Sequence, residues 1–167
     1  MSNRLKVTLL ALIVFGVAGW YAFRPERLFI NQTVNEQFPT AAAAANNKLA
    51  TGQFRSAAHE TKGTATVFQL ADGKKTLRLT DFATSNGPDV HVYLVAAADA
   101  KDNDTVTKAG FIDIGTLKGN IGDQNYELPA NTDLSKYRAV TIWCKRFSVN
   151  FGTAPLMNNE MQSMNMQ

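Results

Sequence analysis

The sequence predicts an all-β fold, an antiparallel β-sandwich of about eight strands, preceded by one N-terminal transmembrane helix. Two observations carry this. From Gly52 onward, short runs of alternating polar and apolar residues are broken by Gly, Asn, Asp and Pro, and no stretch between residues 52 and 156 sustains a helical period. By contrast, Val7 to Phe23 is a run of 17 residues without a charge, near the lower limit of roughly 17–25 for a membrane-spanning helix.

Residues 1–27 read as a signal-anchor. Trp20 and Tyr21 stand at the far end of the apolar run, where amphipathic rings favour the headgroup layer, and Arg24 follows. Val17-Ala18-Gly19 offers a small-residue cleavage site, so a removed signal peptide is the competing reading. The aromatic–arginine flank suits a retained anchor better. Basic residues are balanced around the segment, Arg4 and Lys6 before it and Arg24 and Arg27 after it. Charge therefore orients the helix only weakly with its N-terminus inside. No cysteine follows the run, which excludes a lipoprotein anchor. The expected product is a single-pass membrane protein with an extracytoplasmic domain, on the periplasmic or extracellular side.

Residues 28–51 read as a linker holding Pro39, the alanine run Ala41–Ala45 and the polar Asn46-Asn47-Lys48. A helix that short is marginal in water. The overall charge of +3 comes from the N-terminal segment, because residues 28–167 carry 13 Lys/Arg and 13 Asp/Glu. A neutral domain lacks the basic face that a nucleic-acid partner requires.

The domain proper is expected over residues 52–156. Its strands are predicted at Gln53–Ala58, Gly63–Leu70, Lys75–Asp81, Asp89–Ala96, Gly110–Ile114, Asn125–Leu128, Ala139–Lys145 and Phe147–Ala154. The Asp72-Gly73 pair marks a hairpin, Asn86-Gly87-Pro88-Asp89 a second break, and Asp133–Tyr137 one helical turn. Alternation sorts the faces. Val90, Val92 and Leu94 oppose His91, Tyr93 and Val95. Val140, Ile142 and Cys144 oppose Thr141, Trp143 and Lys145, and Phe147, Val149 and Phe151 share a face. Tyr126 is expected to turn its ring into the core near a corner with Pro129. Residues 157–167 read as a methionine-rich tail too polar to fold by itself.

The residues able to carry chemistry are few. There is no hydrolase signature, phosphate-binding glycine loop or zinc-type cysteine pair, and the carboxylates sit at turns where Asp usually bonds local amides. Cys144 is the only cysteine and His59 and His91 the only histidines. Two imidazoles, a thiolate and the tail methionines are the donor types of a copper site. Their spacing does not cluster them at one end of a sandwich. Cys144 is either a packed core residue or a redox or ligand group, since Lys145 and Arg146 beside it favour the thiolate. His91 faces outward beside Tyr93 or into a pocket. Trp143 packs between the sheet and loops or anchors a partner.

Four ordered blocks, GQFRSAAHETKGTATV, LRLTDFATSNGPDVHVYL, IGTLKGNIGDQNYELP and AVTIWCKRFSVNFGTAPL, resemble the DM-thirteen domain, a sandwich related to the DOMON superfamily, over about Gly52 to Leu156. The resemblance implies electron transfer through a characteristic cysteine, which falls on Cys144, as a bare thiol or as a ligand to a prosthetic group such as haem, copper being the metal that the donor types alone suggest. The family histidine falls on His59, the Gly-Pro-Asp turn on Gly87, Pro88 and Asp89, and His91 is a second candidate ligand. A dithiol cycle within one chain is excluded for want of a second cysteine. The expected function is a membrane-tethered redox module centred on Cys144, with His59 and His91 as cofactor-binding candidates. The alternative is a non-catalytic subunit of a membrane protein complex.

Overall fold

The computed structural model describes residues 2–23, 30–38 and 48–158. The chain runs α1 (Asn3–Phe23), β1 (Lys48–Gln53), β2 (Arg55–Ser56), β3 (Thr61–Gln69), β4 (Lys75–Thr84), β5 (Val90–Val95), α2 (Asn103–Ala109), β6 (Phe111–Thr116), β7 (Gln124–Glu127), β8 (Ala139–Cys144), β9 (Val149–Pro155) and β10 (Met157–Asn158).

Two five-stranded antiparallel sheets form the sandwich, ordered β10-β1-β3-β4-β7 and β2-β9-β8-β5-β6. The predicted alternation explains why they pack. Val90, Val92 and Leu94 from β5 and Val140, Ile142 and Cys144 from β8 point between the sheets. Ala65 and Val67 from β3 and Leu77 and Leu79 from β4 meet them. The chain changes sheets at Phe54, between β1 and β2, and closes one side of the sandwich. There the backbones approach closely. A Cβ placed on Gly52 would run into the carbonyl of Pro155, so this position admits only glycine without a shift.

The outer face of the second sheet has its own cover. The β5–β6 connection carries α2 across it, so that Val106 and Ala100 bury against Val95, Ala139, Tyr93 and Trp143. Sequence periodicity does not reveal α2, because seven residues make fewer than two full turns. Its only announcement is the cap, where the Asp102 side chain accepts a hydrogen bond from the Thr105 amide at 2.7 Å.

Other expectations shift by a few residues. The first strand opens at Lys48 rather than Gln53, and Met157–Asn158, expected in a free tail, pairs with Thr51 and Ala50. Phe147 does not share a face with Val149 and Phe151 but stands 65% exposed in the β8–β9 turn. The cause is local: Ser148 takes φ +53° to close the turn, and a bulge shifts the β8–β9 register between Ile142 and Trp143. The Asp72-Gly73 hairpin forms as expected, with the Lys74 amide bonded to the Asp72 carboxylate at 3.0 Å. The Tyr137 amide likewise donates to the Asp133 carbonyl at 2.9 Å, completing the expected turn. Ala41–Ala45 and Met161, Met164 and Met166 lie outside the described residues.

α1 is apolar all round, with Leu5, Leu9, Leu12, Phe15 and Trp20 exposed. It is long and apolar enough to cross a membrane, a test that a signal sequence also passes. Residues 30–38, by contrast, join the sandwich. Thr33 bridges Ile121, the Val34 amide bonds the Ile121 carbonyl at 2.9 Å, and Glu36 holds Lys118 at 2.7 Å.

Gly52→Ala is expected to destabilise the domain by roughly 1–3 kcal/mol through overpacking where the sheets close. The check is a lower urea midpoint with an unchanged slope.

Candidate functional site

The site residues gather around one end of the sandwich, where β4 passes to β5 through Ser85–Asp89. Each residue of the Gly87-Pro88-Asp89 turn has a physical task. A Cβ on Gly87 would strike Val90 Cγ2 and the Phe151 ring, so glycine lets the turn lie directly on the core. Pro88 fixes its backbone angle. Asp89 then accepts twice, its carbonyl from the Lys145 amide at 2.9 Å and its carboxylate from His91 Nε2 at 3.2 Å. The turn thus ties the start of β5 to the end of β8.

Cys144 ends β8, paired with Val90 on one side and Val149 on the other. It is fully buried and belongs to the hydrophobic core between the sheets. Val90 lines a shallow cleft of about 160 Å³ together with Gln32, Asn86, Pro88 and Leu117. The cleft therefore reaches the residue beside Cys144 and not its sulfur.

His91 lies on the opposite face. Its Nδ1 is 2.9 Å from the Asp113 carboxylate, and its Nε2 meets Asp89, so both ring nitrogens face acceptors. Carboxylates only accept, so the imidazolium satisfies both contacts whereas the neutral ring satisfies one. Asp113 also takes the Gly115 amide at 3.0 Å and Lys145 Nζ at 3.4 Å. Desolvation pushes the Asp113 carboxyl up, but the His91 and Gly115 hydrogen bonds, the His91 charge and Lys145 outweigh it, and its pKa is lowered. Beside His91, Tyr93 stacks on Phe111 with ring centres 4.2 Å apart and lies 6.1 Å from Trp143. Burial, and then the charges of Asp113 and Asp89, push the Tyr93 phenol up to about 12. Trp143, left between packing and partner contact by its sequence, is packed, at 4% exposure.

His59 sits on the β2–β3 connection with its ring 4.0 Å from that of Phe151. Phe151 belongs to the same core as Cys144, so an aromatic ring lies against the histidine at the edge of that core. The structure thus does not bring Cys144, His59 and His91 together: the sulfur is inside, one imidazole is outside and held by two carboxylates, and the other stacks on phenylalanine. Among the described residues no cluster of three His, Cys, Asp or Glu side chains is placed to hold a metal. The cleft is also below the roughly 300–1,000 Å³ typical of small-molecule sites. A haem or copper held jointly by these three residues does not fit this arrangement.

Sequence reasoning missed the Asp89–His91–Asp113–Lys145 cluster. Half of it was readable, since Asp89 and His91 are two apart and share a strand face. Asp113 joins only through the β5–β6 bulge between Val92 and Tyr93, which no local pattern announces.

Asp113 gives the cluster a pH signature. A carboxyl whose folded pKa is depressed contributes stability that is present above its unfolded value, near about 3.9. That contribution is lost as pH falls through the folded value. Asp113→Asn is expected to flatten the loss of stability below that pH, read from urea midpoints across the acid range.

A family model described as electron transfer DM13 matches residues 53–156, from the end of β1 through β9. No curated protein and no solved structure matched the chain. The match covers more than half of the residues and, apart from Gly52, the four blocks that carried the resemblance, and the chain therefore belongs to the electron-transfer DM13 domain family.

Proposed function

We propose that this protein is a membrane-tethered electron-transfer module, its sandwich held on the extracytoplasmic side by α1, with Cys144 as the redox sulfur. The observation that carries the reading is the family match over residues 53–156, from the end of β1 through β9. Supporting it, Cys144 ends its strand and is the cross-strand neighbour of Val90, which walls the cleft. The covering turn is joined to β8 by the Lys145–Asp89 backbone bond. Approach to the sulfur from this end parts that contact, so on this reading the Ser85–Asp89 turn gates Cys144.

A second reading rests on the full burial of Cys144 and on His91 lying on the other face of its sheet. Here the cysteine is a small core residue, and the domain serves as an interaction subunit of a membrane complex. Thioether and imidazole donors then play no part in the fold's purpose.

Three measurements separate and test these readings. The native thiol is expected to resist maleimide until the chain is denatured, and rapid labelling of the folded protein would contradict the buried geometry. Film voltammetry of the full chain is expected to show a redox wave that Cys144→Ala removes. A wave that survives the substitution moves the electron elsewhere, and no wave in either chain favours the interaction subunit. For the tether, the full-length protein is expected to stay with membranes through alkaline carbonate extraction with its N-terminus intact. Release, or a new N-terminus after Val17-Ala18-Gly19, identifies a cleaved signal instead.

A further inference from the structure

The length of chain after α1 identifies which end of the sandwich faces the bilayer, given the tether proposed above. α1 has 21 residues, about 31 Å of helix, which matches a hydrocarbon core of about 30 Å. Phe23 therefore lies at the membrane surface. Only residues 24–29 separate it from Ile30, so by any path Ile30 is within about 25 Å of the helix end.

Ile30 is fixed in place by its two C-terminal neighbours. The Asn31 side-chain oxygen accepts from Asn86 Nδ2 at 2.8 Å and from Asn120 Nδ2 at 3.0 Å. The Gln32 amide donates to Asn120 Oδ1 at 2.7 Å. Both partners belong to the loops at the Cys144 end, β4–β5 and β6–β7. The opposite end, at the Leu70–Lys74 turn, lies a full strand away, since β4 has ten residues, about 33 Å. The tether thus joins the sandwich at its Cys144 end, and the hairpin end lies a strand's length from that attachment.

At this end two large apolar side chains among the described residues have no place in the core, Ile30 where the chain arrives and Phe147 on the β8–β9 turn. Phe147 is 65% exposed at the tip of the β8–β9 turn, directly after Lys145 and Arg146. The turn is anchored to this end by the Lys145 amide on the Asp89 carbonyl. The acidic side chains beside it, Asp89 and Asp113, are engaged by His91 and Lys145. An aromatic ring beside Arg146 and Lys145, the latter shared with Asp113, is a composition that favours the lipid headgroup layer.

We infer that the β8–β9 turn, with Phe147 at its tip, is a docking surface for the headgroup layer of the membrane that α1 spans. The Ser85–Asp89 turn, bonded to this tip through Asp89 and Lys145, then lies close to the bilayer, and docking of the tip orients the sandwich.

The test uses the full-length chain in liposomes containing anionic lipid. Nitroxides are placed at Thr116→Cys, at the same end, and at Lys74→Cys, at the opposite end; the unsubstituted chain, with its sealed Cys144, is the labelling blank. Collision with an aqueous nickel complex is expected to be several-fold lower at Thr116 than at Lys74. Phe147→Ser is expected to remove most of that difference and Phe147→Trp to keep it. Equal aqueous access at both labels, in a chain that resists carbonate extraction, overturns the docking surface and leaves the tether standing. A difference indifferent to Phe147→Ser overturns the role of the tip. Release of the chain by carbonate shows that the tether itself fails, and the inference falls with it.

Discussion

The side chain of Asn120 is the interaction on which the arrangement of this protein depends. It is buried, and it satisfies three elements at once: Oδ1 accepts from the Gln32 amide, while Nδ2 donates to Asn31 and, at 3.1 Å, to the Thr84 carbonyl. Its own carbonyl takes the Thr84 amide at 2.9 Å. A fully satisfied buried amide of this kind specifies one arrangement, because losing any partner strands a polar group where water cannot replace it. Here it locks the end of β4, the β6–β7 loop and the segment arriving from α1 into one corner. A second amide extends the lock: Gln124, fully buried, accepts from Tyr126 at 2.8 Å and donates to the Gly119 carbonyl at 2.8 Å. The core supplies the bulk of the burial, but the amides decide where the chain enters.

Much of the fold was legible because its rules are local. Period-two alternation placed Val90, Val92 and Leu94 inside with Cys144, and His91 and Tyr93 outside, and the sheets obey it. The Asp-Gly hairpin was readable for the same reason. The features that escaped depend on contacts between distant segments. Residues 30–38 look like linker because their partners, Asn86, Asn120 and Asn125, are some 55 to 89 positions away. Met157–Asn158 looks like tail because β1 offers an unpaired edge only once the sheet exists. Phe147 misled because alternation assumes an unbroken strand, and a positive φ at Ser148 with a bulge nearby resets the count.

The site was legible as a set of residues and not as a constellation. Composition singled out one sulfur and two imidazoles, and the same alternation that buries Cys144 puts His91 on the other side of its sheet. A single cofactor cannot be ligated from both faces of one sheet by residues on adjacent strands, which sets His91 apart from Cys144; His59, on the β2–β3 connection, is not subject to that rule. The compensation outside could not be read. His91 is held by Asp89 and Asp113, and Asp113 is balanced in turn by Lys145, the residue following the cysteine.

That charge cluster bears on the buried sulfur through the turn it stabilises. Asp89 is bonded through its backbone to Lys145 and through its side chain to His91, so the Gly87–Asp89 turn is clamped to both strands that flank the core at Cys144. Gly87 presses the turn onto Val90 and Phe151 with no room for a side chain. Any approach to the sulfur from this end must therefore disturb the clamp. The clamp shares its strand end with the Lys145–Phe147 tip, so a force on the tip is transmitted through Lys145 to Asp89. In a protein carried close to a bilayer, access to the cysteine and contact with lipid are then not independent properties. They are demands on two adjoining turns, Ser85–Asp89 and Lys145–Ser148, and the bond from Lys145 to Asp89 is where the two meet.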